Sequence, residues 1–160
     1  MSQVQKSSCI EVVVDATTSQ VWEVVADVTR VGEWSHECHS AGWLDEADGP
    51  SPGVRFRGRN RAGWARWGRT CEIVTADPPC QLAWRTVPTL LFPDSTQWRI
   101  QLEPTSDGRT LITQSFTVLR APWLLDRLYA QLIPSHQNRD ARLVSDLARL
   151  GAAARRGART

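Results

Sequence analysis

From Ser8 to Asp15 the sequence SCIEVVVD is β-branched and partly alternating, which predicts a strand with Ile10, Val12 and Val14 on one face. The period then lengthens. Val21, Trp22, Val24, Val25 and Val28 recur at helical spacing, and Thr17 followed three positions later by Gln20 is a capping-box signature. These predict a short helix over about residues 18–28, then a second helical turn from Val31 to Trp34 that Gly32 keeps short.

Period two returns near residue 40. His39 to Glu46 reads as a strand and GPSPG at 49–53 as a loop. Val54, Phe56, Gly58 and Asn60 alternate with Arg55, Arg57, Arg59 and Arg61, so the two sets face opposite ways on one strand. Ala62-Gly63 is a hairpin turn into Trp67–Thr75, and Asp77-Pro78-Pro79 turns the chain again. Further strands are predicted over Cys80–Val87, Thr96–Glu103 and Arg109–Leu119, with a hairpin turn at Thr105-Ser106-Asp107-Gly108. After Ala121-Pro122 the helical period resumes through Trp123, Leu124, Leu128, Tyr129 and Leu132. Pro134 should end that segment. Another follows from about Ser135 to Arg155, with Leu143, Leu147 and Leu150 on its apolar stripe. Strands segregated from helices in this order describe an α+β domain built on a curved antiparallel sheet.

The 160 residues are one domain's worth, so residues 1–160 are read as a single unit, with 1–7 and 151–160 as flexible ends. Hydrophobic residues at 41% and charged ones at 22% exclude wholesale disorder. No apolar run reaches the ~18–20 residues of a membrane span, and MSQVQKSSC lacks an apolar signal region. The expectation is a cytoplasmic protein without integral membrane contact, with its four cysteines reduced. Lys6 is the one lysine among nineteen basic residues, a bias that a GC-rich genome explains. A net charge of +2 gives no composition argument for nucleic acid. Eight Trp against three Phe and one Tyr point instead to an aromatic-lined cavity.

The element order, with DATTSQVW and DVTRVGEWSHEC after the first strand, resembles the START-like superfamily of helix-grip proteins. Gly32-Glu33-Trp34-Ser35, the run from Gly53 to Trp67 and the Thr96–Arg99 strand are similar to the bacterial polyketide cyclase/dehydrase-like (SRPBCC) group. The resemblance spans about residues 8–150. It implies a helix-grip fold: about seven antiparallel strands wrapped around a long C-terminal helix, two short helices after strand one, and an apolar pocket between sheet and helix. Members share a cavity more than a chemistry.

Inward strand positions give the pocket candidates Phe56, Asn60, Trp67, Leu82, Trp84, Trp98, Ile100, Ile112, Gln114 and Phe116, with Trp34 closing one end. Arg66 and Arg69 extend the Arg55–Arg61 ladder, read as a solvated face partnered by acids such as Glu72 and Glu103. Arg85 is a candidate for holding a carboxylate or enolate at the pocket rim. In His36-Glu37-Cys38-His39, extended backbone would place His36 and Cys38 on one face, with Glu37 and His39 pointing away. No distant pair completes a zinc site, so no metal is expected. His36 or Glu37 remains as a general acid or base, with His136 and Tyr129 as a second weak pair. Nucleophile-elbow, phosphate-loop and dinucleotide motifs are absent, and no cofactor is expected.

Two functions stay open. The first is binding of a small hydrophobic or aromatic molecule, polyketide- or lipid-like, by a monomer or homodimer. The second is a polyketide cyclase, aromatase or dehydratase working in the same cavity, where positioning supplies much of the rate. An RNA or protein surface on the Arg ladder is the weakest reading.

Overall fold

The computed structural model describes residues 4–133, 136 and 138–158. Pro134 and Ser135, the expected helix break, therefore lie outside the described residues, as do the extreme ends of the chain. Seven strands form one antiparallel sheet: β1 (Ser7–Val14), β2 (Cys38–Trp43), β3 (Arg55–Ala62), β4 (Ala65–Asp77), β5 (Gln81–Thr86), β6 (Ser95–Pro104) and β7 (Thr110–Arg120). Their order is β1-β7-β6-β5-β4-β3-β2, so β2 to β7 run as a meander and β1 returns beside β7. This is the α+β helix-grip architecture that the resemblance implied.

Helix α1 (Thr18–Val25) starts at the expected capping box. The Thr17 hydroxyl accepts from the Gln20 N–H, and the Gln20 side chain accepts from the Thr17 N–H at 2.9 Å. The helix ends earlier than the periodicity suggested, and a 3-10 helix over Val28–Glu33 follows, opened by Asp27 accepting from the Thr29 N–H. Val21, Val24 and Val25 are buried on one face of α1.

Helix α2 (Trp123–Leu132) follows Pro122, and α3 (Asp140–Gly157) follows a short connection. The second helical segment was expected from Ser135. In the described residues α3 begins at Asp140, and Gln5 holds the chain before it: Gln5 donates its N–H to the His136 carbonyl at 2.9 Å and accepts the Arg139 N–H on its side chain at 2.8 Å. At the other end, residues expected to fray are helical through Gly157, with Gly151, Ala153 and Ala154 buried. Gly151 lets α3 approach β1, since a Cβ there would stand 2.5 Å from Val14 Cβ.

The core gathers under α1 and α3. Ile100, Ile112, Leu147 and Leu150 are fully buried there, with Val21, Val24 and Leu102 around them. Ile100 and Ile112, expected at the pocket, belong to this packed core. No helix among the described residues is long and apolar enough to cross a membrane.

Candidate functional site

The concave face of β3 to β7 is wider than α3 covers. Between the uncovered part, α2 and the segment around residues 34–38 lies a cavity of about 430 Å³. Strand pairing decides which side chains meet there. Asn60 lies opposite Trp67, Gly58 opposite Arg69 and Phe56 opposite Cys71. Trp84 lies opposite Trp98, which lies opposite Phe116, giving one aromatic row across three strands. The Trp84 and Trp98 rings stack at 6.4 Å, and Trp98 tilts on Phe116 at 4.9 Å.

Of the expected ligand-binding residues, Trp34, Phe56, Asn60, Trp67, Trp84, Trp98 and Gln114 line this cavity. Phe116 does not; it is buried against the Trp98 ring and supports it. His36, Glu37 and Tyr129 also line the cavity, whereas Arg85 does not. Arg85 is exposed on the convex face and donates to Glu72 at 3.0 Å, which excludes it from the rim. Glu72, expected to pair with the ladder, also meets Arg55 at 3.5 Å, whereas no ion pair is formed by Glu103 among the described residues. Arg69 leaves that ladder: it stands inside the cavity wall and donates to Asp94 Oδ2 at 2.8 Å, beneath its contact with the Phe92 ring. Position 69 has the parity of 67, not of 66, so alternation alone assigns it inward.

The His36-Glu37-Cys38 run does not follow the extended-strand expectation. Strand β2 begins only at Cys38, and the Ser35 hydroxyl accepts from both the Glu37 and Cys38 N–H groups. This side-chain turn brings His36, Glu37 and Cys38 together at the cavity and leaves His39 exposed. His36 Nδ1 lies 2.6 Å from Asp146 Oδ2 of α3, which also accepts from Arg149 through its other oxygen. His136 Nε2 lies 2.8 Å from Glu37 Oε1, and the His136 ring meets Trp67 edge-on. Two imidazole–carboxylate pairs therefore flank one end of the cavity.

Burial pushes the Glu37 carboxyl up, but the His136 hydrogen bond and the charges of His136, Arg139 and His36 outweigh it. The net result is a carboxyl held below its ordinary value. The Tyr129 phenol is pushed up by burial and then by the Asp94 charge. Burial raises the Cys38 thiol to about 11 and the Cys71 thiol to about 12, so both are protonated, unreactive parts of the wall. Among the described residues no group of three His, Cys, Asp or Glu side chains is placed to hold a metal.

Arg139 was not among the expected site residues, although it stands four positions before Leu143 on the helical period expected there. Its buried guanidinium lies over the Trp98 and Phe116 rings, 5.7 and 5.4 Å from their centroids. Among the described residues, four buried side-chain atoms lack a hydrogen-bond partner: Trp34 Nε1, Asp94 Oδ1, Gln114 Oε1 and Arg139 Nε. All four residues line the cavity. Polar groups buried without partners are rare in packed interiors, and these four gather on the wall of one cavity.

No curated protein sequence matches the chain. Among solved structures, protein NE0264 from Nitrosomonas europaea is similar at TM-score 0.67 and 13% identity, covering 97% of each chain. The polyketide-cyclase-like protein Cgl2372 from Corynebacterium glutamicum is 25% identical at TM-score 0.57, covering 96% of this chain and 91% of its own. The di-domain aromatase/cyclase StfQ of the steffimycin biosynthetic pathway matches at TM-score 0.65 and 14% identity, over 95% of this chain and 46% of that one. A family model described as polyketide cyclase / dehydrase and lipid transport matches residues 4–139. Sequence and fold agree, and the chain belongs to that family.

Proposed function

We propose that the protein binds a small apolar or aromatic molecule, polyketide- or lipid-like, in the cavity between the sheet and the C-terminal helices. The observation that carries this reading is the half-buried Trp84–Trp98 stack facing about 430 Å³ of unfilled space beside partnerless polar atoms. Indole faces that meet no protein forgo contacts a packed core would make, and an apolar ligand supplies them. Family membership favours the same reading. Native mass spectrometry of the purified protein tests it. One small apolar molecule retained per chain, or taken up from a polyketide or lipid extract, supports binding; a bare chain in both experiments contradicts it.

A second reading, cyclase or dehydratase chemistry in the same cavity, rests on the two imidazole–carboxylate pairs. Asp146 fixes the Nδ1 side of His36 and Glu37 the Nε2 side of His136, so each ring is oriented at the cavity wall. An oriented imidazole can take a proton from the carbon next to a ketone, and a donor such as the Tyr129 phenol can meet the enolate oxygen. The test is exchange of α-carbon hydrogens of a bound poly-ketone with solvent deuterium. Exchange that His36→Asn abolishes while binding persists supports catalysis; no exchange above the ligand's own rate contradicts it.

A further inference from the structure

Most charges around the cavity pair off. Arg69 meets Asp94 at 2.8 Å, Lys6 meets Asp126 at 2.6 Å and His136 meets Glu37 at 2.8 Å. Asp146 is shared by His36, at 2.6 Å, and Arg149. Asp27 and Arg66 also line the cavity without an ion pair among the described residues, but Asp27 accepts from the Thr29 N–H and Arg66 is exposed, so Arg139 is the buried charge left over. Glu37 and Asp94 are near enough for their charges to favour its cation, yet neither forms an ion pair with it: Glu37 meets His136, and Asp94 meets Arg69 through Oδ2 and leaves Oδ1 without a partner. Among the described residues its guanidinium makes no ion pair, and its Nε–H has no hydrogen-bond partner.

The position is also built. Gln5 holds the backbone of residue 139 through the 2.8 Å bond to its N–H and reaches on to Asp140 Oδ1 at 2.9 Å. The Trp98 and Phe116 rings support the guanidinium from below. Those rings interact with the face of the cation and leave its N–H edge for an acceptor. A buried charge costs far more than such ring contacts return unless a counter-charge arrives. No side chain described here supplies one, and the residue lines the cavity.

We infer that Arg139 is a ligand-binding residue that takes an anionic oxygen group, a carboxylate above all, so that the cavity selects apolar acids over their neutral counterparts. This rests on the cavity-binding reading and narrows it to a chemical class. The acid group sits at the guanidinium edge, and the apolar body lies along Trp98 and Trp84. A planar fork facing a carboxylate is the arrangement in which two parallel N–H···O bonds form.

The test compares laurate with methyl laurate, both below micelle-forming concentrations, as displacers of the neutral fluorescent probe N-phenyl-1-naphthylamine. In the unaltered protein laurate is expected to displace the probe at a concentration at least tenfold lower than its ester. Arg139→Met should abolish that preference while the probe still binds, and Arg139→Lys should keep most of it. Equal displacement by acid and ester in the unaltered protein overturns the inference, and so does a preference that survives in Arg139→Met. If the probe itself does not bind, the cavity reading falls and the anchor falls with it. Should Arg139→Met fail to fold, the unaltered protein and Arg139→Lys still decide: an ester as effective as the acid in both overturns the inference.

Discussion

Two ends of one sheet face differ in what lies over them. At one end the row Val12–Ile112–Leu102, paired across β1, β7 and β6, is sealed by α1 and α3, and Ile112 and Leu102 are buried. Four residues along β6 and β7 the row becomes Phe116–Trp98–Trp84, where Phe116 is buried but both indoles remain partly open. Strands, register and alternation are continuous between the rows. What changes is the helix above: α3 starts only at Asp140, and the chain before it is drawn toward Gln5. A sheet wider than its covering helix has a packed end that stabilises and an open end that is left for the proposed ligand. Gln114 lies between the two, opposite both Ile10 and Ile100, and its unpartnered oxygen shows where packing gives way.

The largest effect expected from breaking this contrast is at the sealed end. Leu147→Ala should cost about 2–5 kcal/mol in urea unfolding, because a fully buried side chain leaves both a transfer loss and a cavity. The folded variant should still bind a neutral apolar probe with unchanged affinity. Trp98→Ala inverts the pattern: its stability loss should fall short of the ~3–5 kcal/mol of a packed aromatic. Its probe Kd should rise about tenfold, or ~1.4 kcal/mol. A full stability loss with unchanged affinity would move Trp98 from the open end to the core.

Acid sharpens the comparison next. The Glu37 carboxyl is depressed in the folded protein, so its contribution is present above the unfolded value of about 4.3 and is lost as pH falls through the lower folded value. Glu37→Gln should flatten stability across that acid window in pH-dependent urea melts; an unchanged slope would mean the His136 pair contributes nothing. The smallest effect is on the convex face. Arg57→Ala with Arg59→Ala should change stability by no more than about 0.5 kcal/mol per site. Submicromolar, salt-sensitive RNA binding by the unaltered protein, lost in this variant, would overturn the reading of that face as a solvated one.

Much of this was legible in the sequence because period two and the capping box are local signals. Parity puts Phe56 and Asn60 on one face of their strand, and the strand register adds Trp67, Trp84 and Trp98 to it. The same parity, applied strictly, puts Arg69 inside and sets Arg85 opposite its neighbour Trp84. Other features depend on contacts between distant parts of the chain. Glu37 turns inward through the Ser35 hydroxyl, and Gln5 holds the chain before α3. Arg139 falls four positions before Leu143 on the expected stripe, but its place over Trp98 follows from tertiary structure.

The central claim is that the open end holds a ligand among its indoles. Titration with N-phenyl-1-naphthylamine, followed through Trp emission, tests it most directly. Saturable quenching at one probe per chain, reduced in both Trp84→Ala and Trp98→Ala, is the predicted result. Emission that shows no saturable response to this probe or to a broad panel of apolar molecules would contradict it.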